Sequence, residues 1–324
     1  QQRLRKHRRQ VPVTENKPTF IVINPHCHQG KGWMRWKSIR SQVIGQLPLA
    51  KEMVTESIAD LAVQLHPILS TDQQSCIISA GGDGSIHQIA NMLLERNEPD
   101  KHRLGAIGLG SSNDFLKPFR SFVGNIPVRI RTDSITLQDA GEINYIDQAH
   151  INQKRYFIIN ASMGVTAEGN WHFNNPGKVL TRIKQINTQA AITYTALKTI
   201  LSYRNKAVRV HFNGTELLIG LSNINLLKVP YVSGSFHYQQ NILPDDGVLG
   251  LNICANMSTW ELVRTLMSLE KGKFHTGPRR ISTLVDQFQI CSATPIIFEC
   301  DGETAESTDI RVSVLPQAIQ LLNA

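Results

Sequence analysis

The 324-residue sequence is poor in several things that would point elsewhere. Aromatic residues make up only 6% of it, and no basic helix or RNP-like motif accompanies them. Both absences argue against a nucleic-acid binder, so no specific nucleic-acid partner is expected. No apolar run reaches the roughly 18 residues of a transmembrane helix. The start, Gln1-Gln2-Arg3-Leu4-Arg5-Lys6, has no apolar core behind its charges, so no signal peptide is expected. The five cysteines (27, 76, 254, 291 and 300) are odd in number, scattered and without a C-x-x-C pair. They read as free thiols in a reducing, cytoplasmic compartment, with no zinc site.

Hydrophobic residues at 41% and charged residues at 19% are ordinary for a globular chain. The length favours two domains. The formal charge is +8, and Arg3, Arg5, Lys6, Arg8 and Arg9 supply five of the basic groups. Residues 1–17 therefore read as a basic flexible tail. Such a tail is attracted to an anionic membrane surface, where each basic residue is worth about 1 kcal/mol.

The most informative stretch is Cys76-Ile77-Ile78-Ser79-Ala80-Gly81-Gly82-Asp83-Gly84-Ser85. A short apolar run gives way to three glycines around one aspartate, then a hydroxyl, then a helical pattern with Ile86, Ile89, Ala90, Leu93 and Leu94 on one face. Strand, glycine turn and helix start suit a phosphate. Glycine lets the backbone approach an anion, and the first N–H groups of a helix have no internal partner. Ser85 is a candidate cap for that helix. No Gly-Lys-Ser/Thr follows, so this is no Walker A loop. The third glycine of the dinucleotide fingerprint is also missing. An ordinary strand–helix turn is the plainer alternative.

An apolar run at 19–23 reads as a first strand. It leads into Asn24-Pro25 and a loop with Gly30, Lys31 and Gly32. A helical pattern follows through Trp36, Ile39, Val43 and Leu47. Next come a short strand at 51–55 and a helix opened by Ser57-x-x-Asp60, close to a capping box. A further strand at 104–109 ends in Gly110-Ser111-Ser112-Asn113-Asp114-Phe115. This alternation predicts a doubly wound parallel sheet, whose ligands bind at the carboxyl ends of the strands. Three loops qualify: 24–32, 81–85 and 110–114.

Beyond about residue 130 the pattern changes to short, often alternating strands separated by turns such as Asn213-Gly214 and Asp246-Gly247. Helical patterns at 176–202 and 258–271 interrupt them. The expectation is a nucleotide-type α/β domain at 18–134 and an antiparallel β-sandwich at 135–324. Two acidic spots stand out in the second half. Leu243-Pro244-Asp245-Asp246-Gly247-Val248 is either plain turn chemistry or a hard-cation site. Asp301-Gly302-Glu303 is either a surface turn or a pair in which Asp301 accepts a hydroxyl proton while Glu303 orients it. Together with an anion cradle, these carboxylates suggest phosphoryl transfer.

In this order the motifs resemble the diacylglycerol kinase catalytic-domain superfamily, which includes bacterial lipid kinases and the sphingosine and ceramide kinases. Gly81-Gly82-Asp83-Gly84-Ser85 looks like its GGDGT signature, and Gly110-Ser111-Ser112-Asn113-Asp114-Phe115 like its GTxNDF motif. Asn24-Pro25, Asn160-Ala161-Ser162-Met163-Gly164, Asp245-Asp246-Gly247 and Asp301-Gly302-Glu303 match further motifs over residues 19–322. Departures include Cys27, His28, His87 and Gln88.

The resemblance implies a lipid kinase with ATP and Mg2+ as cofactors, diacylglycerol as acceptor and an active site in the cleft between the domains. Asn24, Gly82, Asp83, Gly84, Ser85, Gly110, Ser111, Asn113 and Asp114 would bind the nucleotide, with Asp83 a partner of the magnesium–nucleotide. Asp301 would be the base, assisted by Glu303. Asp246 with Leu243 and Val248 would hold a structural cation. The implied setting is cytoplasmic and peripheral to an anionic membrane that carries the lipid substrate, and a homodimer is compatible with it. The alternatives are an NAD kinase and a non-catalytic lipid- or nucleotide-binding member of the fold.

Overall fold

In a computed structural model of the protein, residues 11–12 and 17–324 are described. The chain forms two compact units: Gln1–Asp139 with Pro316–Ala324, and Ala140–Leu315. The basic residues of the expected tail lie outside the described residues. Within that segment, however, Val11–Pro12 (β1) is no free tail, because it pairs antiparallel with Ser134 and Ile135.

The first unit runs through β2 (Thr19–Ile23), a single turn α1 (Cys27–Gly30), α2 (Gly32–Gln46), β3 (Lys51–Val54), α3 (Ile58–Leu69), β4 (Ser75–Gly81), α4 (Asp83–Glu95) and β5 (His102–Gly108). Short β6 (Phe122–Val123) and β7 (Ile126–Arg129) follow, then the long β8 (Arg131–Ile146). Strands β3, β2, β4 and β5 pair in parallel in that order. Every residue of β4 and β5 is buried. That is why their sequences are nearly continuous apolar runs rather than alternating ones. The expected face of α2 buries Trp36, Ile39 and Val43, while α3 buries Leu61, Leu65 and Leu69 and turns Ile58 and Ala62 outward. The Ser57 hydroxyl caps α3 by accepting from the Asp60 N–H.

The second unit comprises β9 (Asn152–Phe157), β10 (Asn160–Gly164), α5 (Val165–Asn174), α6 (Lys178–Ile186), α7 (Thr188–Ser202), β11 (Lys206–Phe212), β12 (Thr215–Leu227), β13 (Tyr231–Val232), β14 (Phe236–His237), β15 (Leu249–Ala255), α8 (Thr259–Glu270), β16 (Arg280–Val285), β17 (Gln287–Cys300) and β18 (Glu303–Asn323). It is an antiparallel β-sandwich, with a backbone of pairings β16–β15–β12–β10–β17–β18 and β11 bridging β12 to β17. Its core includes Phe157, Met163, Leu226, Leu251, Phe288 and Phe298. The Asn213-Gly214 turn has positive φ at both residues (49° and 72°), as a two-residue hairpin requires.

Three expectations are corrected. The chain leaves the first unit within β8, at Asp139, and its last nine residues return to that unit instead of ending the sandwich. The return is held by parallel pairing of Gln320 and Leu321 with Arg103 and Leu104, and by burial of Ile319, Leu321 and Leu322. The single helical pattern at 176–202 is two helices, because Asn187 takes extended angles and caps α7 through the Ala190 N–H. Where short strands were expected, Gln287–Cys300 is one long strand with a register shift between Cys291 and Ile296.

Candidate active site

In the first unit, the loops after β2, β4 and β5 are bonded into one framework. The Asn24 N–H donates to Ala80 O, and Asn24 Nδ2 donates to Ser85 Oγ at 2.9 Å. The N–H groups of Leu109 and Gly110 both reach Gly81 O, at 2.8 and 3.1 Å. At the crossing of the last two loops, a Cβ on Gly110 would lie 2.6 Å from the Gly82 Cα. Only glycine allows that approach. At Gly84, by contrast, an added Cβ would meet nothing within 4 Å. The backbone there borders open space.

The cap of α4 is Gly82, not Ser85. The Ser85 N–H is already bonded to Gly82 O, so Ser85 lies inside the first turn and its hydroxyl serves Asn24 instead. Asp83 opens the helix, where a carboxylate complements the positive end of the dipole. Its Oδ2 accepts the Asp114 N–H (3.1 Å) and its Oδ1 the Phe115 N–H (3.2 Å). Asp83 therefore clamps the 110–115 loop onto the start of α4. Asp114 is buried and ion-paired with Lys117 Nζ at 2.7 Å.

Asn113 sits in the left-handed region (φ 52°), and its Nδ2 donates to Gly108 O and Gly110 O. Its Oδ1 is buried and has no hydrogen-bond partner among the described residues. A buried acceptor left unpaired costs free energy unless a ligand donor meets it. Ser111 is exposed on the same loop.

Of the departures, Cys27 has its thiol pushed up to about 11 by burial, so it stays protonated and unreactive. Burial, with Arg35 and Lys31 beside it, pulls His28 below its ordinary value. His87 is buried on α4 against the Asn91 amide.

In the second unit, Asp301 and Gly302 form the two-residue turn between β17 and β18, both with positive φ (48° and 98°). The Asp301 carboxylate is 7% exposed and accepts three backbone N–H groups: Ile158 (2.9 Å), Ile159 (3.0 Å) and Asn160 (2.9 Å). Glu303 is exposed, and its carboxylate makes no hydrogen bond or ion pair among the described residues, so no side-chain contact couples it to Asp301.

The buried neighbour of Asp301 is Glu299, which is not among the residues the motifs single out. Glu299 is 1% exposed, accepts from Ser162 Oγ (3.0 Å) and the Gly302 N–H (2.7 Å), and is pushed up to about 8 by burial, with the Asp301 charge adding to the rise. Its signal in the sequence was faint: an acidic residue two before Asp301, on the other face of a strand from Phe298.

The expected cation site is also revised. Asp246 Oδ1 holds Lys228 Nζ at 2.7 Å, and the same ammonium donates to Val248 O at 3.0 Å. Leu243 contributes its N–H to Asp246 Oδ2. Two of the three expected ligands, Asp246 and Val248, therefore meet a lysine, while Leu243 offers an N–H donor to Asp246, and this set does not fit a divalent metal. No group of three or more His, Cys, Asp or Glu side chains suited to a metal occurs among the described residues. At the glycine loops both Asp83 oxygens accept backbone N–H groups and Asp114 is paired with Lys117, so an Mg2+ carried by nucleotide phosphates would keep most of its ligands as phosphate and water.

This arrangement matches known proteins along nearly its whole length. The diacylglycerol kinase catalytic domain model matches residues 18–147, and the YegS C-terminal NAD kinase beta sandwich-like domain model matches residues 162–323. The chain belongs to the diacylglycerol kinase catalytic-domain superfamily, a family of ATP-dependent lipid kinases.

Among curated relatives, "Probable lipid kinase YegS-like" of Yersinia enterocolitica is 28% identical over 254 residues, 75% of this chain and 77% of the relative. The protein of the same name from Yersinia pestis is 27% identical over 253 residues, 76% and 78% of the two chains. Two crystal structures from Bacillus anthracis str. Sterne share the fold. One superposes with a TM-score of 0.70 at 15% identity, covering 96% of this chain and 97% of its own. The other, named a diacylglycerol kinase, does so with 0.67 at 14% identity, covering 96% and 98%.

Proposed function

We propose that the protein transfers the γ-phosphoryl group of ATP to the hydroxyl of a lipid, with diacylglycerol as acceptor and phosphatidic acid as product. The observation that carries this reading is the bonded framework of the 24, 81–85 and 110–115 loops. It combines open backbone at Gly84, the start of α4 and the unpaired Asn113 Oδ1. Phosphoryl transfer asks a protein mainly for positioning and charge stabilisation. The N–H groups at the start of α4 hold phosphate oxygens, and Asn113 Oδ1 accepts from a nucleotide donor. Mg2+ bound with the phosphates would neutralise charge that develops during transfer. Asp301, fixed by its three N–H partners, takes the proton of the acceptor hydroxyl.

A peripheral membrane setting fits the exposed side of α6. Val179 (59% exposed), Arg182 and Ile186 (86%) follow one another there at helical spacing beside Lys178. An amphipathic helix of this kind lies at a lipid–water interface, apolar groups inward and basic groups against anionic headgroups. No helix among the described residues is long and apolar enough to cross a membrane.

The test is a radiolabelled-ATP assay against diacylglycerol, monoacylglycerol, ceramide, sphingosine, phosphatidylglycerol and NAD. Label in phosphatidic acid supports the proposal. Label in another lipid moves the acceptor, and label only in NAD or in nothing overturns it.

A further inference from the structure

We infer that Lys228 is a built-in cation: its ammonium replaces a divalent metal ion at the 243–248 turn, so this turn needs no metal to hold its shape. Lys228 follows the last residue of β12, and its side chain has no solvent exposure, while Asp246 is 18% exposed. A buried lysine needs a charged partner and carbonyl acceptors. Here it has Asp246 Oδ1 at 2.7 Å and Val248 O at 3.0 Å. Those are N–H···O lengths. Ca2+ draws its oxygens to about 2.3–2.6 Å and Mg2+ to about 2.0–2.1 Å, with six or more ligands around it. The carboxylate is engaged on both oxygens, because Leu243 N–H donates to Oδ2 (2.8 Å) and Val248 N–H to Oδ1 (3.3 Å). A divalent ion could enter only by displacing the ammonium or by lying against it, and two like charges in a buried site repel strongly.

The same lysine is tied to the segment that cradles Asp301. The backbone N–H groups of Lys228 and Val229 both donate to Ile159 O, at 2.9 and 3.0 Å. Ile159 N–H in turn donates to Asp301 Oδ1. The pair with Asp246 anchors Lys228, Lys228 anchors residue 159, and residue 159 orients the carboxylate. A metal site would achieve the same order only when loaded, whereas a covalently attached ammonium achieves it at any divalent concentration.

The test uses the full chain without nucleotide or lipid, so it stands whether or not the kinase proposal holds. The wild-type melting temperature is measured in a chelator, in millimolar Mg2+ and in millimolar Ca2+, alongside Asp246→Asn. The proposal expects Asp246→Asn to lower the melting temperature by about 10 °C. It expects the gap between wild type and variant to be the same in all three solutions. It also expects metal analysis of wild type after dialysis to find no stoichiometric divalent ion. Lys228→Ala, which vacates the site, should melt lower in chelator and recover several degrees with Ca2+ or Mg2+. Lys228→Met, which keeps bulk without charge, should recover less. A wild-type gain on adding divalent ion that Asp246→Asn abolishes would overturn the inference. So would a stoichiometric ion retained by wild type, a reading that stands even if both Lys228 variants fail to fold.

Discussion

Asn160 and Asp301 exchange two hydrogen bonds: the Asp301 N–H donates to Asn160 O, and the Asn160 N–H donates to Asp301 Oδ1, both at 2.9 Å. The exchange fixes the β17–β18 turn to the start of β10 and aims the carboxylate through the backbone alone. Asp301→Asn puts an amide NH2 where an N–H acceptor is needed, so it costs about 1–3 kcal/mol of stability as well as the proposed base. Phosphoryl transfer should fall at least about 100-fold, while nucleotide affinity stays within a factor of about two. Kinase assays and nucleotide titration on the same preparation check this, and full activity in the variant would remove Asp301 from the role.

Two glycines in one cradle should behave oppositely. Gly110→Ala pushes a Cβ against the Gly82 Cα at 2.6 Å, backbone that cannot swing aside, and should cost about 1–3 kcal/mol. Gly84→Ala meets nothing and should leave the melting temperature unchanged or slightly raised, since alanine favours a helix. If phosphate occupies the open space at Gly84, that variant still loses about tenfold or more in ATP affinity. Calorimetric ATP binding together with thermal melts separates the two effects.

Asp83 acts first as a clamp. Asp83→Asn leaves one of the Asp114 and Phe115 N–H groups facing an amide donor. Stability should drop by about 1–3 kcal/mol. Protease nicking within residues 110–117 should accelerate in the variant, with or without nucleotide, and unchanged nicking would contradict the clamp.

Glu299 gives a pH dependence with a definite sign. Its carboxyl is raised from 4.5 to about 8 by burial, so the folded state binds the proton more tightly than the unfolded state. The resulting stability is fully present below about pH 4.5 and is lost as pH rises through about 8. Glu299→Gln keeps an acceptor for Ser162 or Gly302 and cannot ionise. Denaturant melts from pH 5 to 9 should show a decline in wild type that is shallower in the variant, and parallel curves would reject the assignment.

Ile186 tests the membrane face. Ile186→Asp removes an 86% exposed apolar group and adds a charge repelled by anionic lipid. Cosedimentation with phosphatidylglycerol-containing vesicles should weaken about tenfold, and activity on a short-chain soluble acceptor should be unchanged.

The glycine motifs, the helix faces of α2 and α4 and the Asp301-Gly302 turn were legible from the residues, because each depends on local rules. Glycine reaches positive φ, apolar residues recur at helical spacing, and Asp-Gly favours a tight hairpin. Ser85 was misassigned as a cap because Gly82, with no side chain, left no capping signal to read.

What only the tertiary structure decided involves partners far apart in sequence. Lys228 meets Asp246, Asp83 meets Asp114 and Phe115, Asp301 meets residues 158–160, and residues 316–324 belong to the first unit. Charge and burial of this kind are set by which strands lie side by side. A lysine at the end of an apolar strand looks like a solvated end until the fold places a carboxylate and a carbonyl around it. The sequence by itself determined the family, the two-part architecture and the glycine loops of the first unit. The folded chain decided which charge stands at the 243–248 turn and which backbone groups hold the proposed base.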